Sequence, residues 1–409
     1  MGTARASTSS DEMAGSAAAG VIPLCAPAFR GNEWAYLKEC LDTGWVSSAG
    51  PFVDRFEREV AAYVGVAHAV AVVNGTAALH TALRVVGVQP DDEVLVSDLT
   101  FIAPVNAIRY CQAHPILVDA HPGTWQMDVG KVAQFLDEMC EVRDEACYNR
   151  ETGRRLRAIV PVHILGLAVE IDRLIEVAHR YHLRVVEDAA EGMGVRFRGR
   201  HVGTFGDVGV LSFNGNKIMT SGGGGMVVTD NAGHAEYARY LTTQAKDDPI
   251  EHLHHEVGYN YRMTNLQAAV GLAQLEQLEH FIARKQAIAR AYDEALQGLD
   301  GVTRMPTPSE TQATYWLYTI LLDEGITLAD RQATIRQLQR AGIEARPLWH
   351  PIHGLAPYRQ CQTVAIEHAM RLYERGLSLP SSVGLSDQEL QRCVAALKRS
   401  LTTSLHVLR

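Results

Sequence analysis

No stretch of the 409 residues stays apolar for the length that a bilayer crossing demands, so a membrane-embedded function is not expected. Basic residues are in deficit: 38 Lys and Arg stand against 47 Asp and Glu, a net charge of −9. That balance excludes a general nucleic-acid binder, which needs a basic face against phosphate, but leaves room for a local basic pocket. Paired cysteines are missing too. The seven cysteines (Cys25, Cys40, Cys111, Cys140, Cys147, Cys361 and Cys393) form no C-x-x-C pair and come in an odd number. Free thiols in a reducing compartment fit this better than a disulfide framework. Residues 1–20 lack the apolar core of a signal peptide and read as a small, polar, disordered tail. A cytoplasmic location is therefore expected. What is present is ordinary for a soluble protein: 47% hydrophobic and 21% charged residues, in a chain long enough for two packed domains.

Short β-type runs alternate with helical runs through the first half. Strands are predicted at 68–74, 93–98, 115–119, 158–162 and 183–188, with helices after the first and over 171–181. Runs apolar on both faces and separated by helices indicate an α/β fold with a mainly parallel sheet covered on both sides. The charged stretch 137–157 breaks the rhythm and reads as a surface insertion. From about residue 266 a long helical segment to Leu299 leads into a strand at 315–320. A helix opened by Thr327 and Asp330 follows, and a final helix is opened by the capping box Ser386–Glu389.

Three places can carry chemistry. Asn74-Gly75-Thr76-Ala77 lies between a strand end and a helix start, where free N–H groups and the helix dipole can bind a phosphate. An ordinary capped turn has the same composition. Asp188 and Glu191 follow the carboxyl end of an apolar strand, the usual place for ligands in open α/β sheets; there Asp188 would either face a protonated ring nitrogen or cap the next helix. Lys217 follows a strand and precedes the four glycines Gly222–Gly225, outside any P-loop pattern. A lysine among strand ends can act as a Schiff-base nucleophile, although most lysines are surface charge. The stretch Glu251–Glu256 has metal-binding residue types without an H-E-x-x-H arrangement, and no metal is expected. Arg346, His350 and His353 lie in a proline-stiffened loop that would either contact an anionic substrate or simply pack.

In order along the chain, NGTAALH, SDLTFIAPVNAI, EDAAEGMG, SFNGNKIMTSGGGGMV and GYNYRMTNLQAAVGLAQLE resemble the motifs of DegT-type sugar aminotransferases, from about Ile22 to the C-terminus. The resemblance implies fold type I. A large domain (21–265) would carry a mainly parallel, seven-stranded-type sheet in an α/β/α sandwich. A connecting helix and a smaller C-terminal α+β domain (266–409) would follow. It implies pyridoxal 5′-phosphate as cofactor, with Lys217 as the imine-forming lysine and Asp188 as the pyridinium partner. Glu191 would meet the ring's 3-oxygen and Phe101 lie over the ring. Gly75, Thr76, Ala77, Ser212 and an asparagine of the Asn214-Gly215-Asn216 turn would serve the cofactor, its phosphate included. Asn260 would reach the phosphate of the other subunit, making a homodimer with shared active sites. His163, Arg346 and His353 are the expected substrate contacts.

Relatives that dehydrate sugars carry histidine in place of the lysine, so Lys217 favours transamination. GNEWAYLKECLDTGWVSSAGPFVDRFE, TTQAKDDP and RPLWHPIH are similar to the branch aminating C4 of UDP-2-acetamido-2,6-dideoxy-4-keto sugars for polysaccharide biosynthesis, with L-glutamate as donor. That is the main expectation. The alternatives are a GDP-4-keto-6-deoxymannose 4-aminotransferase of the perosamine type, an enzyme acting on a non-nucleotide cyclic ketone, and a non-catalytic regulator that binds the cofactor or a sugar nucleotide.

Overall fold

The computed structural model describes residues 20–248 and 250–407; the expected tail lies outside them except for Gly20. The large sheet is built from strands that the apolar runs encode: β1 (His68–Val72), β2 (Glu93–Ser97) and β3 (His114–Val118). A hairpin, β4 (Cys140–Arg143) and β5 (Ala146–Asn149), precedes β6 (Arg155–Val160) and β7 (Arg184–Asp188). A short pair, β8 (Arg196–Phe197) and β9 (Arg200–His201), leads to β10 (Val208–Ser212) and β11 (Gly225–Thr229). The order is β1-β11-β10-β7-β6-β2-β3. Only β11 in that path runs against its neighbours.

Side chains alternate across a strand, and here both faces are buried. Leu95 of β2 and Val185 of β7 point into one apolar core, while Val94, Val96 and Val186 point into a second on the opposite face. Helix α1 (Glu33–Thr43) and α2 (Pro51–Val64) open the chain; α2 contributes Phe56 and Val60 to the first core. Helix α3 (Gly75–Val85) and α4 (Ala103–Tyr110) fill the second. Further along, α5 (Val129–Met139) and α6 (Ile171–Arg180) belong to the first core, and α7 (Ala232–Thr242) to the second. The result is the expected α/β/α sandwich.

One local reading gains detail and one needs correction. The insertion at 137–157 is an ordered hairpin: β4 and β5 turn at Asp144 and Glu145, both with positive φ, and β5 pairs with β6. The long helix expected over 266–299 is two helices, α8 (Asn265–Leu275) and α9 (Leu278–Leu296). They part where the N–H of Gln277 bonds back to Gln274 in a tighter turn, with the side chains of Gln274 and Gln277 both tied to Glu33.

The C-terminal part adds β12 (Val302–Thr303), β13 (Thr311–Gln312), β14 (Tyr318–Leu322) and helix α10 (Leu328–Arg340). Then come β15 (Arg346–Pro347), β16 (Thr363–Val364), α11 (Ala369–Arg375), β17 (Gly376–Leu379) and α12 (Asp387–Val407). β12-β14-β17-β15 form a small antiparallel sheet. Two strands leave it: β16 extends the large sheet beyond β3, and β13 pairs with β8. The smaller unit is thereby stitched to the larger one at two places beyond the connecting helix. Among the described residues no helix is long and apolar enough to cross a membrane.

Candidate active site

The carboxyl ends of the parallel strands face a cavity of about 440 Å³. Lys217, Asp188, Glu191, Gly75, Thr76, Phe101, Ser212, Asn214, Asn216 and Arg346 all line it. These positions span more than 270 residues of sequence, yet all but Arg346, which opens β15, lie at or shortly after a strand end or at a helix start.

The anion-binding corner comes first. Asn74 stands extended before α3, and its Oδ1 accepts the N–H of Ala77 at 2.8 Å. The cap leaves the earliest N–H groups of the helix at the cavity, beside Thr76 and Ser212. Strands β10 and β11 must come close to the start of α3 to build this corner. A Cβ on Gly75 would stand 3.0 Å from the Ser212 side chain, and one on Gly225 would meet the Asn74 carbonyl oxygen at 2.8 Å. The glycines are what allow the approach.

Asp188 ends β7 and is almost fully buried. Its Oδ1 accepts the N–H of Ala190 at 3.0 Å, and its Oδ2 accepts nothing from the described residues. Burial pushes its carboxyl above the usual range, opposed by that N–H and by the charge of Lys217. Glu191 is pushed the same way by burial and held back mainly by Lys217 and the Leu165 N–H. Its Oε2 accepts that N–H at 2.8 Å, and its Oε1 lies 3.4 Å from Lys217 Nζ. The amine also stands over the ring of Trp316, 4.3 Å from its centroid. The indole N–H of Trp316 is anchored on the Asn216 carbonyl at 2.7 Å, and its ring stacks against Trp349.

The arrangement suits a flat, anionic, nitrogen-containing ring. A helix start and two hydroxyls can take a phosphate, Asp188 Oδ2 has an open acceptor for a ring N–H, and a primary amine stands beside it. Pyridoxal 5′-phosphate has these groups, and the residues present fit it.

Four expected site residues lie off the cavity wall. Ala77 is buried in α3 with its N–H already taken by Asn74. His163 is fully enclosed and bonds Glu187, not a substrate. His353 donates its main-chain N–H to Asp98 Oδ1 at 2.8 Å and pairs its Nδ1 with Oδ2 at 2.7 Å, serving a buried carboxylate instead of the cavity. Asn260 is exposed on the loop before α8, away from the cavity of its own chain. Conversely, the sequence reading missed Trp316, Trp349, Cys25 and Glu344, which all line the cavity. They come from the N-terminal segment and the small unit; Trp349 sits within RPLWHPIH beside the expected Arg346, and no motif marks the other three. In the histidine-rich stretch, His254 bonds the Gln244 carbonyl at 2.8 Å and Glu256 pairs with Arg84 at 3.1 Å. One further group, Asp119, Glu367 and His368, has metal-ligand types, but the Lys131 ammonium sits on both carboxylates, at 2.8 and 3.1 Å.

A model of the DegT/DnrJ/EryC1/StrS aminotransferase family matches residues 27–398. The chain is 40% identical over 381 residues to a GDP-perosamine synthase of Caulobacter vibrioides, covering 93% of this chain and 98% of that one. It is 38% identical to a GDP-perosamine synthase of Escherichia coli O157:H7, covering 90% and 95%. Among solved structures, a DegT DnrJ EryC1 StrS aminotransferase from Brucella abortus superposes with a TM-score of 0.82 at 28% identity, covering 90% and 95%.

Proposed function

The chain belongs to the DegT/DnrJ/EryC1/StrS aminotransferase family, and from that premise we propose that it moves the amino group of L-glutamate to C4 of a GDP-linked 4-keto-6-deoxy sugar. That it is a pyridoxal-phosphate-dependent sugar aminotransferase follows from the family. The UDP-linked acetamido sugar expected from the sequence gives way, because the GDP-perosamine synthases match nearly end to end. This breadth of likeness carries the reading.

In this proposal Lys217 holds the cofactor and, once displaced, moves protons: its Nζ takes one from the amino acid's Cα and later delivers one to C4 of the sugar. When bound, the cofactor supplies an electron-poor ring that accepts the charge left by the departing proton. Asp188 keeps the ring nitrogen protonated with its free oxygen, and a cation there draws the buried carboxyl back toward its ionised form. Glu191 and the Trp316 face retain the free amine within reach of the reacting atoms. Thr76, Ser212 and the start of α3 anchor the phosphate. Arg346 has no partner among the described residues and serves an anionic part of glutamate or of the sugar nucleotide.

Asn260 and the exposed apolar side chains of Ile250, Leu253 and Val257 nearby support a homodimer in which Asn260 completes the second subunit's phosphate site. The deciding experiment supplies the purified holoenzyme with glutamate and 4-keto-6-deoxy sugars on either GDP or UDP. A higher kcat/KM with the GDP sugar is expected, and preference for the UDP acetamido sugar would overturn the substrate assignment.

A further inference from the structure

His163 is not in the cavity, yet it is tied by hydrogen bonds to both ends of the site's floor. Its ring is fully enclosed and both nitrogens are engaged. The Val169 N–H donates to Nδ1 at 3.2 Å, so the ring proton sits on Nε2, which donates to Glu187 Oε2 at 3.0 Å. The Glu187 carboxylate, itself completely buried, takes three more N–H groups: Gly203 at 2.8 Å, Phe205 at 2.6 Å and Gly206 at 2.7 Å. Burial alone would raise this carboxyl; His163 and those amides together hold it lower.

Glu187 precedes Asp188 on β7, so the two side chains leave opposite faces of the strand. Here β7 reaches the end of its sheet pairing, where a single parallel bridge joins Val162 and Asp188. The main-chain N–H of His163 donates to the Asp188 carbonyl at 3.0 Å, and that of Asp188 to the Pro161 carbonyl at 2.9 Å. The same 161–169 loop sends the Leu165 N–H to Glu191.

We propose that His163 is a positioning residue: by joining Glu187 to the 161–169 loop it fixes the end of β7, and with it the carboxylate of Asp188, where the cofactor's ring nitrogen must be met. The inference rests on the reading of Asp188 as the partner of that nitrogen. A rigid, neutral donor is what the place requires. An apolar side chain would leave a buried carboxylate one donor short and the loop free to shift, and the displacement would fall on Asp188 and Glu191 together.

Two amides separate this role from mere packing. Gln can place its NH₂ near the position of the histidine Nε2 and still donate to Glu187. Asn reaches only the position of Nδ1 and cannot. In reconstituted holoenzyme, H163N is expected to bind pyridoxal 5′-phosphate about tenfold more weakly, the scale of one lost charge-assisted hydrogen bond, and to change the visible circular dichroism of the bound cofactor. H163Q should restore both. Wild-type behaviour of H163N, or H163Q as impaired as H163N, would overturn the inference.

The variant D188N separates the premise from the proposal. If D188N leaves cofactor affinity and spectrum unchanged, the Asp188 reading fails. If D188N alters them while H163N does not, only the role of His163 fails. Should H163N not fold, nitrogen NMR of histidine-labelled wild-type protein decides. The His163 ring is expected as the Nε2–H form with shifts that move on cofactor loading, and shifts indifferent to loading would count against the proposal.

Discussion

Two carboxyls and one amine are crowded into the cavity floor, and their energetics run against stability. Asp188 and Glu191 are both raised by burial, with Lys217 as their nearby cation. A carboxyl whose folded pKa lies above its unfolded value adds stability below the unfolded pKa and loses it as pH rises through the folded one. The cofactor-free protein therefore carries a cost at neutral pH that ligand binding relieves. Replacing Glu191 with Gln keeps an acceptor for Leu165 and removes the buried charge. E191Q is expected to stabilise the cofactor-free protein at neutral pH by about 1 kcal/mol, a gain that vanishes toward acid, where Glu191 is neutral anyway. Thermal unfolding of both proteins across pH checks this. Lys217→Ala should abolish transamination, and borohydride treatment should leave cofactor on a Lys217 peptide only in the wild type.

At the scale of elements, the corner where β10, β11 and α3 converge is built by close backbone approach. G225A would force a Cβ against the Asn74 carbonyl and the Gly75 nitrogen, both main-chain atoms with little room to yield. A destabilisation of about 1–3 kcal/mol is expected, with weaker cofactor binding measured by titration, because the disturbed atoms open the helix proposed to anchor the phosphate. A distant helix gives the contrast. Thr327 and Asp330 form the reciprocal cap of α10. T327A should cost about 1 kcal/mol in chemical denaturation and leave cofactor affinity unchanged.

For the whole molecule, the proposed sharing of sites between subunits has a consequence that single-chain defects do not. Inactive K217A and inactive or weak N260A proteins, mixed and allowed to exchange subunits, would form heterodimers with one site holding both Lys217 and Asn260. Recovery of activity on mixing is the expected outcome, and none would argue against a shared site. Acid sensitivity is a second global property. His201 is fully buried, its Nε2 accepts the Gly194 N–H at 2.8 Å, and burial lowers its pKa from 6.5 to about 4. The unfolded chain takes up this proton first, so stability should fall as pH drops from about 6.5 toward 4. Denaturant midpoints over that window should fall less steeply for H201Q than for the wild type.

The amino-acid order alone determined the α/β class and the positions at which chemistry could occur. Apolar runs with period two, glycines at turns and polar residues at helix starts are local signals, and β7, α3 and the capping boxes are legible from them. The same locality explains the errors. A charged segment reads only as a surface insertion until β6 is there to pair with its hairpin, and α8 and α9 read as one helix until Glu33 arrives to hold the break. His163, His353 and Ala77 have the right residue types beside the right motifs. Whether each faces the cavity or the interior depends on partners such as Glu187, Asp98 and Asn74, and for the two histidines those partners are remote in sequence. Trp316 escaped notice for the complementary reason: its place in the site comes from standing beside Lys217, about a hundred residues away in the chain, a contact that exists only once the small sheet has folded against the large one.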